Sequence, residues 1–473
     1  MNIIPQDQLE ILHANIRSCV DTFAKAAGVS AGDFACVEEA ARVAILDIRD
    51  ALMSSGLELS ASQSRRTLRC PDCSAILGAW AQEPRRVVTS EGEATYHPVR
   101  YRCSACAKDY YPLEEANGLS GSQYTTGAKA VIAEVGAEKP YAHVSRVLSL
   151  ERGLSVSPKE VDRTMREVAA WRTEEEAQLV GAVYGESAAL LRAADADPLP
   201  AAPALHGFAV WPQDAPALLS VDGAMVRSTV KGAEGLAWFE CRAGLIRSVG
   251  KDKRMVAFYT GGVNTPDAIF DQMGASWLKA VPPGCLCVFV ADGARWIWDR
   301  VPLFFPTAIQ VLDFYHACEH IDSAAAAWHG ERSANAIKWR QRARETLLEP
   351  GGISTILHEL LDALSRPETV ARLDALRTEV RYLLGHRHRM RYYDIKSRGL
   401  PIGSGAMESG IKQLVPTRLR MPGMKWTKPG ADAVLTVRSA HMSQALRLTT
   451  TRRHSALQQS ATDRYKAPMA AAA

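Results

Sequence analysis

Three acidic residues, far apart in the chain, close or follow segments that could bring their carboxylates together. Asp222 closes the apolar run 217–221 and Asp292 closes the apolar run 285–291, and each is followed by a glycine. Glu408 lies at the start of a helical pattern rich in basic residues. Two Asp at strand ends and one Glu on a later helix would suit a hard divalent cation such as Mg²⁺ or Mn²⁺. Such a site supports phosphodiester chemistry.

Each of these acids is a weak signal when taken alone. An Asp-Gly pair at the end of a strand is also a common turn sequence. Several carboxylates buried together without a cation, however, are strongly destabilised or have raised pKa values. If the fold brings the three together, the cluster therefore predicts a metal site.

A second group of polar residues follows Asp292 along the chain. Asp313 and His316 lie on or just beyond a further strand pattern. His316 could orient a catalytic Asp or contact a phosphate, and Asp313 could hold it through a hydrogen bond. A structural histidine at a strand end is the alternative, and Glu319 and His320 could take the same role.

Four of the ten cysteines form two Cys-x-x-Cys pairs. Cys70 and Cys73 precede Cys103 and Cys106 by a spacer of 29 residues that contains short strand patterns. Two such pairs on hairpin tips would place four thiolates around one structural Zn²⁺. Two unrelated pairs, or a redox Cys-x-x-Cys, are the alternatives.

The strand and helix patterns around the acids indicate an α/β catalytic domain over 211–448. Three successive strands and then helix–strand–helix–strand match a ribonuclease H-like order. A stretch without strand signal, 321–395, predicts an all-helical insertion. The predicted strands lie at 217–222, 236–243, 254–260, 285–291 and near 308–313, and the predicted helices at 265–280 and 294–302.

The remaining chain divides by composition and periodicity. We expect an N-terminal helical region, a zinc-ribbon-like module, a helical DNA-binding region that could be a helix-turn-helix or a plain bundle, a Pro- and Ala-rich linker, and a disordered tail. Their bounds are 1–60, 61–118, 119–190, 191–210 and 449–473.

Composition is that of an ordinary globular protein. The 473 residues carry a formal net charge of +4 and are 47% hydrophobic. No apolar stretch approaches the roughly 18 residues that span a bilayer, so we expect no membrane partner and a cytoplasmic location. Between Ser409 and His454 there are nine Lys or Arg and one acid. Such a segment is typical of a phosphate-binding surface or of a solvated basic helix.

Several blocks of sequence resemble bacterial insertion-sequence DDE transposases, most of all the Kra-type family. The resemblance spans roughly residues 68–445 in the same order. The blocks are 101–106 (YRCSAC), 111–113 (YPL), 220–226 (SVDGAMV), 291–298 (ADGARWIW), 312–317 (LDFYHA), 401–409 (PIGSGAMES) and 418–426 (RLRMPGMKW).

The resemblance implies a role for each acidic block. Asp222, Asp292 and Glu408 correspond to the DDE triad, which would bind Mg²⁺ or Mn²⁺. Asp313 and His316 correspond to an Asp-x-x-His signature of related transposases. Such enzymes hydrolyse a phosphodiester at each transposon end and use the freed 3′-OH to attack target DNA.

The resemblance also implies partners. These are the terminal inverted repeats and target DNA, bound by a homodimer or higher oligomer associated with the bacterial nucleoid. Phosphate contacts near the active site would come from the basic segment, and Trp426 could stack on a distorted base or pack in the core. The alternatives are a domesticated or inactive DNA-binding protein and a nuclease without strand transfer. The expected DNA-binding residues are Lys412, Arg418, Arg420, Lys425 and Trp426.

Overall fold

The computed structural model describes residues 6–29, 33–63, 67–185, 204–207, 210–212, 215–232, 235–250, 253–366, 372–403 and 405–466. Two compact units make up the chain: residues 1–172 with 446–473 (unit 1), and residues 173–445 (unit 2). Most of the predicted linker, 191–210, lies outside the described residues. Within the described ranges, no helix has the length and apolarity needed to cross a membrane.

Helices and small sheets alternate in the first part of the chain. In order, the elements are α1 (Gln6–Val29), α2 (Phe34–Gln63), β1 (Leu77–Gln82), β2 (Arg85–Val88), β3 (Glu93–Tyr96), β4 (Val99–Cys103), β5 (Asp109–Tyr110), α3 (Pro112–Ala116), α4 (Thr126–Glu138), α5 (Tyr141–Arg152) and α6 (Pro158–Tyr184).

A larger sheet and many helices follow. They are β6 (Ala217–Gly232), β7 (Gly235–Val249), β8 (Met255–Gly262), α7 (Pro266–Ala280), β9 (Cys287–Ala291), α8 (Arg295–Trp298), α9 (Val301–Phe304), β10 (Ile309–Leu312), α10 (Phe314–His329), α11 (Ala334–Thr346), α12 (Gly352–Leu364), α13 (Leu373–His386), α14 (Tyr392–Ser397), α15 (Gly405–Leu414), α16 (Pro416–Leu419), α17 (Lys428–Met442) and α18 (Leu446–Tyr465).

Unit 1 contains an antiparallel sheet of order β1-β4-β5 and the hairpin β2–β3. The helix predicted from Ser157 forms as α6, because the Ser157 hydroxyl accepts the Glu160 N–H at 3.2 Å and Pro158 opens the first turn. Gly153 ends α5 in the left-handed conformation, with φ 64°.

The prediction of a disordered tail over 449–473 is wrong for the residues as far as Tyr465. They form α18, which belongs to unit 1. Thr449 and Thr450 are buried, and the Tyr465 ring packs edge-on against Tyr110 with centroids 6.1 Å apart. Burial against the cysteine-bearing sheet therefore orders a segment whose composition alone suggests fraying. Residues 467–473 lie outside the described ranges.

Unit 2 contains a five-stranded mixed sheet of order β10-β9-β6-β7-β8. Strands β6, β7 and β8 are antiparallel neighbours, whereas β9 pairs in parallel with β6 and with β10. Strand β9 is buried throughout, and its residues alternate between two cores. Val288 and Val290 pack with the helices of the predicted insertion, and Phe289 and Ala291 pack with α7, α8 and α9. Burial on both faces explains the unbroken apolar sequence.

Several boundaries differ from the predictions: β7 runs to Val249, and the helix predicted at 294–302 forms two short helices, α8 and α9. Strand β6 does not end at Asp222 but continues to Gly232 as a ribbon with β7, in which Asp222 lies opposite Ala243. The helix expected from Gly405 to about Arg418 ends at Leu414. Pro416 lacks an N–H and restricts Val415, so it opens the separate short helix α16 instead.

Candidate active site and four-cysteine cluster

Asp222 and Asp292 occupy corresponding positions on neighbouring parallel strands. Leu219 of β6 pairs with Phe289 of β9, and each Asp lies three residues farther along its strand direction. Asp292 directly follows β9, whereas Asp222 lies inside β6, beyond the last residue that pairs with β9. Each acid therefore lies the same number of residues beyond the last β6–β9 pair.

Both acids also lie on one face of the sheet. Side chains alternate along a strand, and Leu218 packs in the same core as Val288 and Val290. By this period of two, Asp222 shares the face of Leu218, and Asp292 continues the series of Val288 and Val290. The insertion helices cover that face.

Asp313 takes the equivalent position on the next strand. Leu312 of β10 pairs with Ala291, and the Asp313 N–H donates to the Ala291 carbonyl at 2.8 Å. Its carboxylate accepts the His316 N–H at 2.8 Å and so caps α10. Asp313 is 3% exposed. The predicted brace for His316 thus acts on the backbone of His316 in this structure.

Glu408 belongs to α15, a helix that packs on the face of the sheet that carries the two Asp. Leu245, on β7, pairs with Ser220, two residues before Asp222, so these residues face the same way. A β-carbon on Gly410 would lie 2.7 Å from Leu245, so α15 approaches this face closely. The segment entering α15 contacts Asp313: a β-carbon on Gly403 would lie 3.6 Å from its Oδ2. Along the chain, Glu408 lies between these two contacts.

His316 belongs to a ring cluster formed with the insertion. Its ring lies 5.1 Å from that of His320, and its Nδ1 lies 3.3 Å from Glu319 Oε2. His320 stacks on Tyr382 of α13 with centroids 3.5 Å apart, and its Nδ1 lies 2.7 Å from Glu379 Oε2. Of the two histidines, His320 is thus held more firmly by the insertion.

Tyr382 connects this ring cluster to the Asp292 turn. A β-carbon on Gly293 would lie 1.7 Å from the Tyr382 hydroxyl oxygen, so only glycine fits there. Asp292 Oδ1 accepts the Ala294 N–H at 2.9 Å, and the Asp292 carbonyl accepts the Trp298 indole N–H at 2.6 Å. The Asp-Gly pair is therefore a turn sequence, as its composition suggests, and it is also a site of close packing.

Burial and charge set the protonation of this cluster. Burial raises the pKa of Tyr382 well above its ordinary value, and the nearby negative charge of Asp292 is the second cause. Burial, and next Arg389, lowers the pKa of His386 to about 4. Arg389 Nη1 lies 3.1 Å from His386 Nδ1 and donates to the neutral ring. At neutral pH, Tyr382 keeps its proton and His386 is uncharged.

The basic segment after Glu408 divides into exposed and packed residues. Lys412, Arg420 and Lys425 are exposed, and Arg420 Nε donates to the Met225 carbonyl at 2.7 Å. Arg418 is 1% exposed and lies over the Trp426 ring, 5.2 Å from its centroid. Trp426 contacts β6, since its backbone N–H donates to the Arg227 carbonyl at 2.9 Å. In this structure Arg418 packs against Trp426 rather than facing solvent, and its contact with DNA stays a prediction.

The four cysteines of the Cys-x-x-Cys pairs cluster in unit 1. Their sulfur atoms all lie within 4.8 Å of one another, with Cys70 and Cys106 at 3.6 Å and Cys73 and Cys103 at 3.4 Å. Four thiols at this spacing are compatible with a zinc site. Among the described residues, no other group of three or more His, Cys, Asp or Glu side chains comes together this closely.

Tyr110 supports the cysteine cluster from β5. Its hydroxyl lies 3.0 Å from Cys70 Sγ and 3.1 Å from Asp72 Oδ2, and Lys108 pairs with the same Asp72 oxygen at 2.5 Å. Burial raises the pKa of Cys70. Hydrogen bonds from Tyr110 and the backbone together outweigh burial, so the pKa of this thiol falls to about 6. A thiolate at neutral pH is the form that binds metal.

Sequence reasoning did not find Tyr382, His386 or Tyr110. Tyr110 lies four residues after Cys106, and this short spacing is a usable signal. Tyr382 and His386 lie in a helix without any local motif, and only the packing of α13 on α10 brings them to the site.

Comparison with known proteins identifies no family. No protein-family model matches the chain, and no curated protein sequence matches it. Its function must therefore be inferred from its own residues and their geometry.

Proposed function

We propose that this protein is a DDE-type DNA transposase, in which Asp222, Asp292 and Glu408 bind catalytic Mg²⁺ or Mn²⁺. One observation carries the proposal: two acids each lie three residues beyond the last paired residues of neighbouring parallel strands and on one face of the sheet, and the helix with Glu408 packs on that face. Placement of two acids on one face, next to the helix that carries the third, is hard to explain by turn formation alone.

The strand order supports a ribonuclease H-like catalytic domain. Three successive strands, β6 to β8, are followed by α7, β9, the short helices α8 and α9, and β10, which is the succession along the chain on which that expectation rests. The helices between β10 and α15 correspond to the expected insertion. Ligand sites in such sheets form beyond the carboxyl ends of parallel strands, where Asp292 and Asp313 lie.

The donor set suits a hard cation. Carboxylate oxygens are the ligands that Mg²⁺ and Mn²⁺ prefer, and Asp292 holds its Oδ1 in the turn to Ala294, which fixes the orientation of the carboxylate. When bound, the cation would activate the attacking oxygen and stabilise the leaving oxygen of the phosphodiester.

The surrounding residues would position the substrate. His316, half-exposed beside Asp313, could donate to a phosphate oxygen, and Asp313 keeps the first turn of α10 in place. Exposed Lys412, Arg420 and Lys425 would contact phosphates near the acids, which adds affinity without sequence preference. Trp426 and Arg418 would fix the segment that carries those cations.

Unit 1 would recognise the element ends. We infer that one structural Zn²⁺ holds the four cysteines together. The helices α4, α5 and α6 that follow would contact the terminal repeats. Two or more copies of the chain would act together, because a transposon has two ends.

A cleavage and joining assay tests the proposal. Purified protein with Mg²⁺ and labelled duplex carrying its element's ends should release nicked strands and joined products. Asp222→Asn and Glu408→Gln should abolish both products while binding the ends normally. Cutting without joining would instead indicate a nuclease, and end binding without any cutting an inactive DNA-binding protein. Undiminished cleavage in both variants would exclude the triad.

A further inference from the structure

Unit 1 contains a polar cavity of about 540 Å³ between the hairpin β2–β3, the loop before α4 and the first turn of α6. Its volume is within the range of pockets that bury small ligands. Two arginines on its lining are exposed at 66% and 49%, and each has an acidic neighbour with which a phosphate would compete: Arg86 pairs with Glu93, and Arg163 pairs with Glu160 at 2.6 Å. Glu114 and Tyr96 are deeper, with the Glu114 side chain 14% exposed and Tyr96 3% exposed.

The Tyr96 hydroxyl is buried and makes no hydrogen bond within the described part of the chain. Buried polar groups without partners are uncommon, since desolvation is then uncompensated. Burial, followed by the charge of Glu114, raises the pKa of Tyr96, so the hydroxyl keeps its proton. A ligand in the cavity could complete its hydrogen bonding.

Glu114 supplies an acceptor near this hydroxyl. Arg85 Nε lies 3.3 Å from Glu114 Oε1, and the Arg85 guanidinium lies over the Tyr111 ring, 5.5 Å from its centroid. Arg85 thus pairs with one carboxylate oxygen of Glu114. The interior of the cavity therefore combines an acceptor and a hydroxyl, and the exposed cations lie toward solvent.

We propose that this cavity receives one nucleobase turned out of a DNA strand, with Arg86 and Arg163 on the phosphates beside it. The inference extends the proposed DNA binding of unit 1. An exocyclic amino group, as on cytosine, would donate to Glu114, and the neighbouring ring acceptor would face Tyr96. Thymine has no amino group and fits this pairing less well. Placing a base in a pocket requires it to leave the stack, which is easiest in single strands.

Binding of single-stranded oligonucleotides to the full chain tests the inference. Fluorescence anisotropy would compare oligo(dC) and oligo(dT) of about twelve nucleotides. The unsubstituted protein should prefer oligo(dC) about fivefold or more. Tyr96→Phe and Glu114→Gln should each remove that preference, because each removes one partner of the base edge. Tyr96→Phe should also keep or raise Tm, since it deletes a hydroxyl without a partner.

Two arginines of α6 test the role proposed for the exposed cations of the cavity. Arg163→Gln should weaken both oligonucleotides by about fivefold and reduce the salt dependence. Arg166→Gln is the control, because Arg166 is similarly exposed and pairs with Asp162 at 2.8 Å but does not line the cavity. Equal binding of both oligonucleotides, or a preference that survives Tyr96→Phe and Glu114→Gln, would overturn the inference. Strand cleavage at element ends is scored separately, so a protein that cuts without this preference refutes the cavity alone.

Discussion

Asp222 and Asp292 each lie three residues beyond Leu219 and Phe289, the last paired residues of two neighbouring parallel strands, and the alternation of side chains places both on the face that carries Leu218 and Val290. One lies within a long strand of an antiparallel ribbon, and the other ends a short strand buried on both faces. The sheet thus brings together two acids whose local settings have little in common, and the proposed chemistry depends on this alignment.

Replacing Asp292 should stop catalysis without unfolding the protein. Asp292→Asn keeps the oxygen that accepts the Ala294 N–H, so the turn should form. It removes the charge that would hold a cation, and strand cleavage should fall by about a thousandfold or more. Asp299→Asn is the control, since Asp299 is exposed and pairs with Arg295 on the surface. Normal cleavage by Asp292→Asn in a gel assay would contradict its assignment.

The contact between Gly293 and Tyr382 predicts a steric effect. Gly293→Ala should lower the free energy of unfolding by about 1–3 kcal/mol, because the new methyl group overlaps the Tyr382 hydroxyl and ring. Gly385→Ala, in the same helix as Tyr382, meets nothing within 4 Å and should instead stabilise by about 0.5–1 kcal/mol. Urea denaturation measures both, and equal effects of the two substitutions would refute the close contact.

The four-cysteine cluster predicts one zinc per chain. Cys103→Ser should remove most of the bound metal and lower the Tm of the protein, because metal binding and local folding are coupled. Cys36→Ser should leave the zinc content unchanged, since Cys36 is exposed and lies outside the cluster. Metal analysis by mass spectrometry decides, and a folded unsubstituted protein without zinc would refute the site.

Tyr110 should tune that site through Cys70. Tyr110→Phe deletes the hydroxyl that lies 3.0 Å from Cys70 Sγ and leaves the ring that packs on Tyr465. Zinc affinity, measured by competition with a chromogenic chelator, should fall by about 10–100-fold. An unchanged affinity would mean that the hydroxyl only fills space.

His386 predicts a loss of stability in mild acid. Its pKa is about 4 in the folded protein against an ordinary 6.5, because of burial and then the positive groups Arg389 and His388, with His320 and His316. As pH falls from 6.5 toward 4, the unfolded chain binds the proton first, so stability falls by up to about 3 kcal/mol. His386→Gln should flatten this dependence. The exposed His358→Gln is the control; the same pH profile in both variants would contradict the assignment.

The elements around the acids follow from sequence to differing degrees. Strand β9 and the turn at Asp292 are predictable, because an apolar run of that length followed by Asp-Gly has few alternatives. The continuation of β6 past Asp222 is not predictable from the sequence. The same Asp-Gly pair lies there within the antiparallel pairing with β7, so no turn forms. The spacing of Cys70, Cys73, Cys103 and Cys106 predicts their cluster, since two short knuckles need only a hairpin between them.

Long-range packing is what local patterns miss. Helix α18 gains its order from contacts such as Tyr465 on Tyr110, which are made by residues far apart in the chain. Tyr382 likewise reaches Gly293 only because α13 packs against α10. No periodicity in either segment encodes its distant partner.

A change of ligand at Asp292 tests the central claim most directly. A thiolate binds Mn²⁺ better than it binds Mg²⁺, so Asp292→Cys should be inactive in strand cleavage with Mg²⁺ and recover activity with Mn²⁺. Asp299→Cys should cleave normally with either ion. Recovery in Mn²⁺ alone would place a metal ion at Asp292. Asp292→Cys cleaving equally well with both ions would contradict a metal-binding role for this residue.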